Sequence, residues 1–427
     1  MISIVVLGYH SVEDIRRCVG SLLRTEAPAD RWRVVVVDND SRPETRELLA
    51  SYGNRIDVVT QETNTGYAGG MNIGIRHALE RGAEYVVLMN QDAEVEPDWL
   101  RHLVAAVESD PTIGAVQPRI MLGPSTQTSD LRPQTSDLIN SIGNHIHVLG
   151  FGFAGGHRER WSDLRPQLRG YPYPEVTYPS GAAVMYRAKA LHDIAFERDQ
   201  QPLKIDAMRS AGPSSEPSRT RTYGEGAAQG SASPEGRGVR EAGSARSQDS
   251  TTARDLQRLQ FLDEDYFLYH EDLDIGVRLW LRGWRCVLAP QAVVVHHYEF
   301  SRSITKLYWM ERNRILFLLQ NFRIPTLLLL SPMLLASELG LLILAKRGGW
   351  LSQKLKAWRS LLTPSKWGTY LRHRREKQAR RRHPDRMVLA RFVTRFTNQE
   401  MPNPLVERYV DPCLTAWWRC VRPLIFW

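Results

Sequence analysis

The first third of the chain alternates short apolar runs with segments of helical periodicity, and this alternation restricts the fold more than any other feature. Ile2–Leu7 and Val34–Val37 are continuous apolar runs, which is typical of strands buried on both faces. Val12–Leu23 places its apolar residues on one helical face. Strands that alternate with helices in this way form a parallel sheet with helices on both faces. The sequence therefore predicts an α/β fold with a mostly parallel sheet.

The other elements expected in this region follow the same order. We predict helices over Thr45–Ser51, Gly69–Gly82 and Pro97–Glu108, and strands over Ile56–Thr60, Tyr85–Met89 and Gly114–Pro118. Four cysteines occur with no metal-like spacing, so the sequence predicts neither a disulfide framework nor a zinc site, and favours a reducing compartment.

Polar residues follow several of these strands. Tyr9 follows the first, Asp38 the second, and Asn90 with Asp92 the strand Tyr85–Met89. Ligands of parallel α/β sheets bind beyond the carboxyl ends of the strands. The glycine-rich segment 64–74 opens a helix, where backbone N–H groups suit an anion. Each feature alone is typical of a cap or a turn, but their common position at one edge predicts a ligand site.

Two common nucleotide-binding motifs are missing from the sequence. No GxGxxG lies between the first strand and the first helix, which weakens a dinucleotide-binding interpretation, and there is no P-loop. Met1–Ser21 also lacks the glycine-rich basic loop that a nucleotidyltransferase needs, so the sequence disfavours a nucleotidyltransferase.

Six segments occur in a fixed order: SIVVLGYHSVEDIRRCVGSL, VVVDNDS, NTGYAGGMNIGI, LMNQDAEVEPDWL, SGAAVMYR and YHEDLDIGVRLWLRGWR. Together they resemble the inverting nucleotide-sugar glycosyltransferases of family 2, near the rhamnosyltransferase-like members. The resemblance covers Ser3–Cys286 apart from an insertion, and extends more loosely to Phe322. It implies a GT-A fold, which is a Rossmann-like sheet with a metal-dependent donor site, for a catalytic domain over residues 1–322.

The resemblance also assigns roles to residues. Asp272 matches the general base that takes the proton of the acceptor hydroxyl, and Glu271 is the neighbouring competitor for that role. Asp92 matches the metal-binding carboxylate, with Mg²⁺ or Mn²⁺ on the donor diphosphate. His296 is either a further metal or phosphate contact or a side chain that fills the end of the sheet, and His297 stays open as its alternative. The expected donor-binding residues are Tyr9, Asp38, Asn64, Gly66, Gly70, Asn72 and Asn90.

A basic motif lies near the end of the expected catalytic domain. Arg312-Asn313-Arg314 resembles an element that contacts phosphate or simply faces water.

Two segments look like additions to the domain. Gln127–Leu138 contains a tandem heptad, QTSDLRP followed by QTSDL, which we interpret as a local duplication in a loop. Gln200–Thr252 is rich in small, polar and charged residues, so we expect a disordered insertion over about residues 200–255.

Ile324–Leu344 is the most apolar stretch of the chain and is long enough to span a bilayer. Pro325, Pro332 and Glu338 interrupt it, and basic residues lie on both sides of it. We therefore expect residues 323–347 to form an interfacial or re-entrant helical hairpin broken at Pro332. A buried pair of core helices is the alternative.

The net charge of +9 is concentrated near the end of the chain. Residues 346–395 contain 16 Lys+Arg and 2 Asp+Glu, which leaves the rest of the chain with a net charge of −5. This distribution argues against a nucleic-acid binder. We expect residues 348–427 to form a basic helical tail that binds an anionic membrane surface. The apolar N-terminus lacks the basic start and cleavage site of a signal peptide, so we place the protein on the cytoplasmic face of the plasma membrane.

These features lead to one expected function and several alternatives. We expect transfer of a sugar from a nucleoside diphosphate to a hydroxyl of a glycan or lipid-linked acceptor. Asn90, in place of the family's aspartate, keeps open an interaction protein with a decayed catalytic domain. A processive synthase is disfavoured because the sequence has no QxxRW motif and no series of clear spans.

Overall fold

The computed structural model describes residues 1–28, 30–123, 137–198, 252–297, 307–396, 404 and 406–427. The strands are β1 (Ile2–Gly8), β2 (Trp32–Asn39), β3 (Asp57–Gln61), β4 (Tyr85–Asn90), β5 (Ala93–Val95), β6 (Ile113–Leu122), β7 (Ile139–Ser141), β8 (Asn144–Ile146), β9 (Gly152–Ala154), β10 (Ala183–Arg187), β11 (Phe196–Glu197), β12 (Leu259–Gln260) and β13 (Arg285–His296).

The helices follow in chain order. They are α1 (Val12–Leu22), α2 (Pro43–Ser51), α3 (Gly66–Glu80), α4 (Trp99–Glu108), α5 (Trp161–Leu164), α6 (Ala188–Ile194), α7 (Ala253–Gln257), α8 (Glu271–Arg282), α9 (Leu307–Asn321), α10 (Ile324–Arg347), α11 (Leu351–Leu361), α12 (Pro364–Ala379), α13 (Asp385–Leu389) and α14 (Asp411–Val421).

The core of the structure is a mixed sheet with the strand order β3-β2-β1-β4-β10-β6-β13-β5, and β7 pairs with β6 outside this path. Strands β1 to β4 pair in parallel, as do β6 and β13. Strand β10 lies antiparallel between β4 and β6. The predicted mostly parallel α/β sheet is confirmed, and the sequence pattern did not reveal the direction of β10.

Helices cover both faces of this sheet, as predicted. On one face, α3 packs Ile75 and Leu79 into a core that includes Val5 of β1. On the other face, α1 and α4 pack Ile15 and Leu103 into a second core. The alternating strand residues of β1 supply both cores because successive side chains point to opposite faces.

The first turns of α3 differ from the prediction. The helix begins at Gly66, three residues earlier than expected, so most of the glycine-rich segment is helical and not a loop. Gly66 has a φ of +74°, and a Cβ there would lie 2.5 Å from the Phe267 carbonyl oxygen. Only glycine fits this position without strain.

The basic C-terminal region contains helices, as expected, and two of its lysines are buried against the rest of the chain. Lys354 of α11 is fully buried and pairs with Glu311 of α9 and with Glu338 of α10. Lys377 of α12 is also buried, and its Nζ lies 2.7 Å from a carboxylate oxygen of Asp263. These cations stabilise the fold because they offset buried carboxylates, so they are not available to a membrane surface.

Helix α10 runs unbroken from Ile324 to Arg347, with Pro332 inside it, so the expected hairpin is wrong. Among the described residues it is the one helix long and apolar enough to cross a membrane. Only 6% of its most apolar 18-residue window is buried, so the alternative of a core helix is wrong as well.

The expected insertion and the tandem heptad lie largely outside the described residues. Of the proposed insertion, the structure describes the last few residues, where Thr252 begins α7 with a capping box to Asp255. Regular structure therefore resumes before residue 255.

Candidate active site

The strand ends bring the candidate residues to one edge of the sheet. Gly8 of β1 pairs with Asp38 of β2, and Leu7 pairs with Asn90 of β4, so these three strands end at the same level. Strand β10 is antiparallel to β4 and begins there, with Ala183 opposite Met89. Five chain segments therefore meet at this edge, because β13 also ends there, where His296 pairs with Ala93.

The start of α3 is tied to the end of β2 by an asparagine pair. The Asn39 side-chain oxygen accepts hydrogen bonds from the backbone and hydroxyl of Thr65 at 2.9 Å, and its Nδ2 donates to Asn64 at 3.1 Å. The Asn64 oxygen also accepts from the Gly66 N–H at 2.8 Å. Asn39 was not predicted, although its position directly after a buried strand was a signal for it.

Tyr9 lies at the same edge with an exposed side chain. Its backbone N–H donates to the Gln91 side-chain oxygen at 2.6 Å, and Gln91 Nε2 donates back to the Tyr9 carbonyl at 3.0 Å. This pair fixes the turn after β1 against the turn after β4, next to Asn90. The Tyr9 ring packs against the His10 ring at a centroid distance of 3.9 Å, and the residue remains 37% exposed.

Asp38 reaches the edge, but its carboxylate is fully buried. One oxygen accepts from the Ser41 N–H at 2.9 Å, and the other pairs with Arg46 Nε at 3.0 Å. Asp38 therefore shapes the turn after β2 in this structure.

Gly70 and Asn72 face away from the edge, so we do not keep them among the residues proposed to contact a donor. A Cβ at Gly70 would collide with the Leu7 side chain, which shows that this glycine allows α3 to pack on β1. The buried Asn72 amide bonds the backbone of Phe261 and Leu262 and the side chain of Glu264. Both residues support the site through packing.

Asp92 and His296 are brought together by the pairing of β5 with β13. The Asp92 Oδ1 and His296 Nε2 atoms lie 3.1 Å apart, and His296 Nδ1 lies 3.1 Å from the Asn140 side-chain oxygen. Each imidazole nitrogen of His296 thus faces an oxygen atom. Since a neutral imidazole carries one N–H, one of its nitrogens is a lone-pair donor that can bind a cation. A separation of about 3 Å is also that of two neighbouring ligands around Mg²⁺ or Mn²⁺, so this pair fits a divalent cation. His297, the open alternative, instead pairs with Glu94 at 2.7 Å.

Asp272 lies in the first turn of α8 and faces the turn before β10. Its Oδ2 accepts from the Gly181 N–H at 3.1 Å, and its Oδ1 accepts from the Leu273 N–H at 2.8 Å. Burial raises the pKa of Asp272 to about 6. The carboxylate is therefore ionised near neutral pH and still basic enough to accept a proton.

Glu271 is more deeply buried than Asp272. Its Oε2 has no hydrogen-bond partner among the described residues, and burial together with the Asp272 charge raises its pKa well above the usual range. This environment favours the protonated form of Glu271. Of the two candidates, Asp272 has the better environment for a base.

Tyr67 connects the glycine-rich segment 64–74 to the Glu271–Asp272 pair. The sequence did not predict this residue as a site residue. Its hydroxyl donates to the Gly181 carbonyl at 2.6 Å. Burial, together with the neighbouring carboxyl groups, raises the pKa of Tyr67 well above its usual range. Tyr67 therefore lies among the carboxylates of the site.

A second group of side chains that can hold a metal ion occurs among the described residues, away from this edge. Asp263, Asp265 and His373 offer ligand atoms within 4.8 Å of one another, and all three are buried. The Lys377 ammonium already contacts Asp263 at 2.7 Å, and His373 Nδ1 lies 3.1 Å from the same carboxylate. This group joins α12 to the domain and already contains a cation.

The basic motif after the domain neither faces water nor reaches the edge. Arg312, Asn313 and Arg314 are almost fully buried. Arg312 donates to the Asp265 carbonyl, and Arg314 donates to the Leu149 carbonyl at 3.1 Å and pairs with Glu338. The motif was expected to contact phosphate or to face water. Both expectations are wrong, because its side chains bond to protein groups.

An open, mostly parallel α/β sheet with helices on both faces and polar side chains at its carboxyl edge is the GT-A fold that the resemblance implies. The family model "Glycosyl transferase family 2" matches residues 3–194. The match covers 192 of the 427 residues, and within this region it confirms the resemblance to the family.

Curated relatives carry the names of several sugar transferases. The chain is 27% identical over 161 residues to glucomannan 4-beta-mannosyltransferase 2 of Arabidopsis thaliana, covering 34% of this chain and 30% of the relative. It is 31% identical over 143 residues to the low-salt glycan biosynthesis hexosyltransferase Agl10 of Haloferax volcanii, covering 33% and 44%. It is 31% identical over 88 residues to the dTDP-rhamnosyl transferase RfbF of Shigella flexneri, covering 21% and 29%. The chain thus spans less than half the length of each relative.

Solved structures are similar at lower identity. A mannosyltransferase, PcManGT from Pyrobaculum calidifontis, solved with GDP-Man and Mn²⁺, is 15% identical with a TM-score of 0.43, covering 88% of this chain and 86% of that one. Residues 1–349 of S. aureus TarS are 13% identical with a TM-score of 0.41, covering 99% and 90%.

Proposed function

We propose that the protein transfers a sugar from a nucleoside-diphosphate donor to a hydroxyl of a glycan or lipid-linked acceptor, with inversion at the anomeric carbon. The position of Asp272 carries this proposal. Its carboxylate lies beside Tyr67 and Gly181 at the carboxyl edge of a family 2 sheet, with a pKa raised to about 6 by burial.

Inversion needs a single displacement and one base. Asp272 accepts the proton of the acceptor hydroxyl while that oxygen attacks the anomeric carbon, and the bond to the diphosphate breaks on the opposite side. Burial raises the pKa of Glu271 well above its usual range and favours its protonated form, so Asp272 is the better base of the two. No covalent intermediate is required.

The donor lies along the edge formed by β1, β2 and β4 in this proposal. Tyr9 stacks on the base, Asp38 shapes the ribose end, and Asn64, Gly66 and Asn90 line the path to the diphosphate. Asp92 and His296 hold Mg²⁺ or Mn²⁺. When bound, such a cation neutralises charge on the departing diphosphate.

The test begins with a thermal-shift screen of UDP-, GDP- and dTDP-sugars with Mg²⁺ or Mn²⁺, because a ligand of the folded state raises the apparent melting temperature. With the donor that binds, Asp272→Asn is expected to keep donor affinity and to lose sugar transfer by about 10²–10⁴-fold. Glu271→Gln is the matched control and is expected to retain most of the transfer rate. Transfer retained in Asp272→Asn contradicts the base assignment, and the absence of any sugar-nucleotide binding favours a decayed domain.

We also propose that the protein attaches to the cytoplasmic face of the plasma membrane through one face of α10. The exposed apolar side chains of this helix have the spacing of a single helical face: Leu328, Leu335, Leu339 and Ile343, each more than half exposed. Glu338 faces the protein instead, where Arg314, Lys354 and Trp358 bond its carboxylate. The helix thus presents an apolar face without its only carboxylate, which suits an interfacial position.

Exposed cations flank this face. Arg323 lies before α10, and Lys346 and Arg347 form its end, all exposed. Near an anionic leaflet each basic residue adds about 1 kcal/mol of attraction.

Co-sedimentation with vesicles that contain phosphatidylglycerol tests this attachment. Leu335→Glu combined with Leu339→Glu is expected to lower the bound fraction at least tenfold, because each buried leucine contributes about 1.5–3 kcal/mol. Tyr171→Glu, at an exposed aromatic residue of the catalytic domain, is the control. Equal binding of both variants contradicts the attachment through α10.

A further inference from the structure

The segment Tyr266–His270, which leads directly into the Asp272 helix, has a strained backbone. Phe267, Tyr269 and His270 have φ values of 59°, 68° and 72°, in the left-handed region that residues with a side chain rarely adopt. Such a backbone conformation persists only where surrounding contacts hold it. The direction of the first turn of α8 depends on this segment, so whatever holds the segment also orients Asp272.

One side chain of α9 bonds three carbonyl groups of this segment. Asn313 Nδ2 lies 2.8 Å from the Tyr266 carbonyl oxygen, 2.9 Å from that of Leu268 and 2.8 Å from that of Tyr269. Two N–H groups thus serve three carbonyls within four residues, which requires one shared hydrogen bond. The residue is fully buried, so water does not replace these bonds.

The orientation of this amide is fixed by its neighbour. Arg312 Nη1 donates to the Asn313 side-chain oxygen at 2.9 Å, which leaves the NH₂ group to face the carbonyls. Arg312 also donates to the Asp265 carbonyl, one residue before the strained segment. The basic motif after the catalytic domain therefore acts on the backbone of the base-bearing segment.

The opposite side of the segment touches the donor-binding elements. The Phe267 carbonyl accepts from the Tyr67 N–H at 2.7 Å, at the start of α3. The Phe267 ring stacks on Trp309 of α9, with a centroid distance of 4.8 Å. The segment is thus held between α9 and the glycine-rich start of α3.

We propose that Asn313 is a positioning residue for sugar transfer: its amide holds residues 266–270 in the conformation that directs the Asp272 carboxylate toward the acceptor. The inference rests on the proposed function of Asp272. Asn313 touches no reacting atom, so its loss changes the rate of the chemical step and leaves donor binding in place.

The test compares Asn313→Asp, Asn313→Ala and Asn313→Ser with Thr326→Val in the full chain. Asp keeps the side-chain volume but loses both donors, and Ser keeps one short donor. Thr326 is a buried residue of α10 that bonds Asp385, so its Val variant controls for the loss of a buried hydrogen bond elsewhere.

With the sugar nucleotide that gives turnover in the screen above, kcat is expected to fall about 100-fold in the Asp and Ala variants, the effect of a misplacement of about 1 Å. The donor KM, and the Kd of UDP, GDP or dTDP with Mn²⁺, are expected to stay within about twofold. Ser is expected to recover part of kcat, and Thr326→Val is expected to keep it. A general loss of stability would not separate kcat from KM in this way.

Amide hydrogen exchange supplies a readout that needs no activity. Exchange over residues 265–273 is expected to rise at least tenfold in Asn313→Asp and to stay unchanged in Thr326→Val. Absence of turnover with every sugar nucleotide contradicts the proposed function. The exchange data still test whether the Asn313 amide holds residues 266–270 in place. Wild-type exchange or wild-type kcat in folded Asn313→Asp overturns the inference, as does failure of all three Asn313 variants to fold.

Discussion

Replacement of Lys377 by methionine tests whether the basic C-terminal region is part of the folded catalytic body. The Lys377 ammonium lies 2.7 Å from Asp263, 2.9 Å from Asp274 and 2.7 Å from the Gln320 side-chain oxygen. Lys377 and the two carboxylates are at most 1% exposed. Methionine fills the same volume but leaves two buried carboxylates without this cation.

The expected loss in the free energy of unfolding is about 3–5 kcal/mol, the usual cost of removing one partner of a buried ion pair. This is a large share of a typical total of about 5–15 kcal/mol. Urea denaturation measures the loss. Arg375→Met on the same helix is the control: its side chain is exposed, so a change within about 0.5 kcal/mol is expected.

A third variant separates charge compensation from packing. Lys377→Met combined with Asp263→Asn removes the cation and one buried charge, while Asp274 keeps its pairing with Arg278, so the double variant is expected to recover part of the lost stability. A loss below about 1 kcal/mol for Lys377→Met alone would refute the reasoning, because it would mean that α12 does not pack on these carboxylates.

Three further predictions follow from the site and its supports. The rate of sugar transfer is expected to fall about tenfold per pH unit below pH about 6, because burial raises the pKa of Asp272 to about 6 and the base must be ionised; a kcat/KM profile against pH measures this. Burial lowers the pKa of His147 from 6.5 to about 4, so the unfolded state binds the proton more tightly than the folded state does. The free energy of unfolding is therefore expected to fall as the pH drops from about 6.5 to about 4. Urea denaturation of His147→Phe should show a smaller pH dependence. Gly70→Ala is expected to cost about 1–3 kcal/mol by collision with Leu7, and Leu7→Ala should relieve part of that cost in a double-mutant cycle, with nucleotide affinity unchanged in folded protein.

The sheet could be predicted from the sequence because its signals are local. Runs such as Val34–Val37 and the helical face of Val12–Leu23 are visible without knowledge of any partner, and the structure confirms both elements. The level at which the strands end also follows from parallel pairing, so the position of Asp38, Asn90 and Asp92 at one edge could be inferred.

The parts that could not be predicted depend on contacts between distant residues. Nothing near Lys377 in the sequence indicates that Asp263 lies 2.7 Å from it, and a run of lysines and arginines usually faces solvent. The roles of Asn39 and Asn313 have the same origin, since an asparagine at a strand end or inside a helix carries no sign of the backbone that it bonds. Pro332 misled the prediction because one proline inside a helix can be accommodated without ending it.

The charge distribution of the chain follows from the arrangement of α8. Asp272 in its first turn accepts from the Gly181 N–H at the sheet edge, whereas Asp274, two residues later, is fully buried. Arg278 and Lys377 pair with Asp274 in the core. Such a carboxylate requires cations, and α12 supplies one of them from the basic C-terminal region. The same region offsets Glu311 and Glu338 through Lys354. Two lysines of the region that the sequence suggests is a membrane address thus stabilise the packed helices, and the membrane attachment that we propose rests on the leucine face of α10 and on its exposed flanking cations.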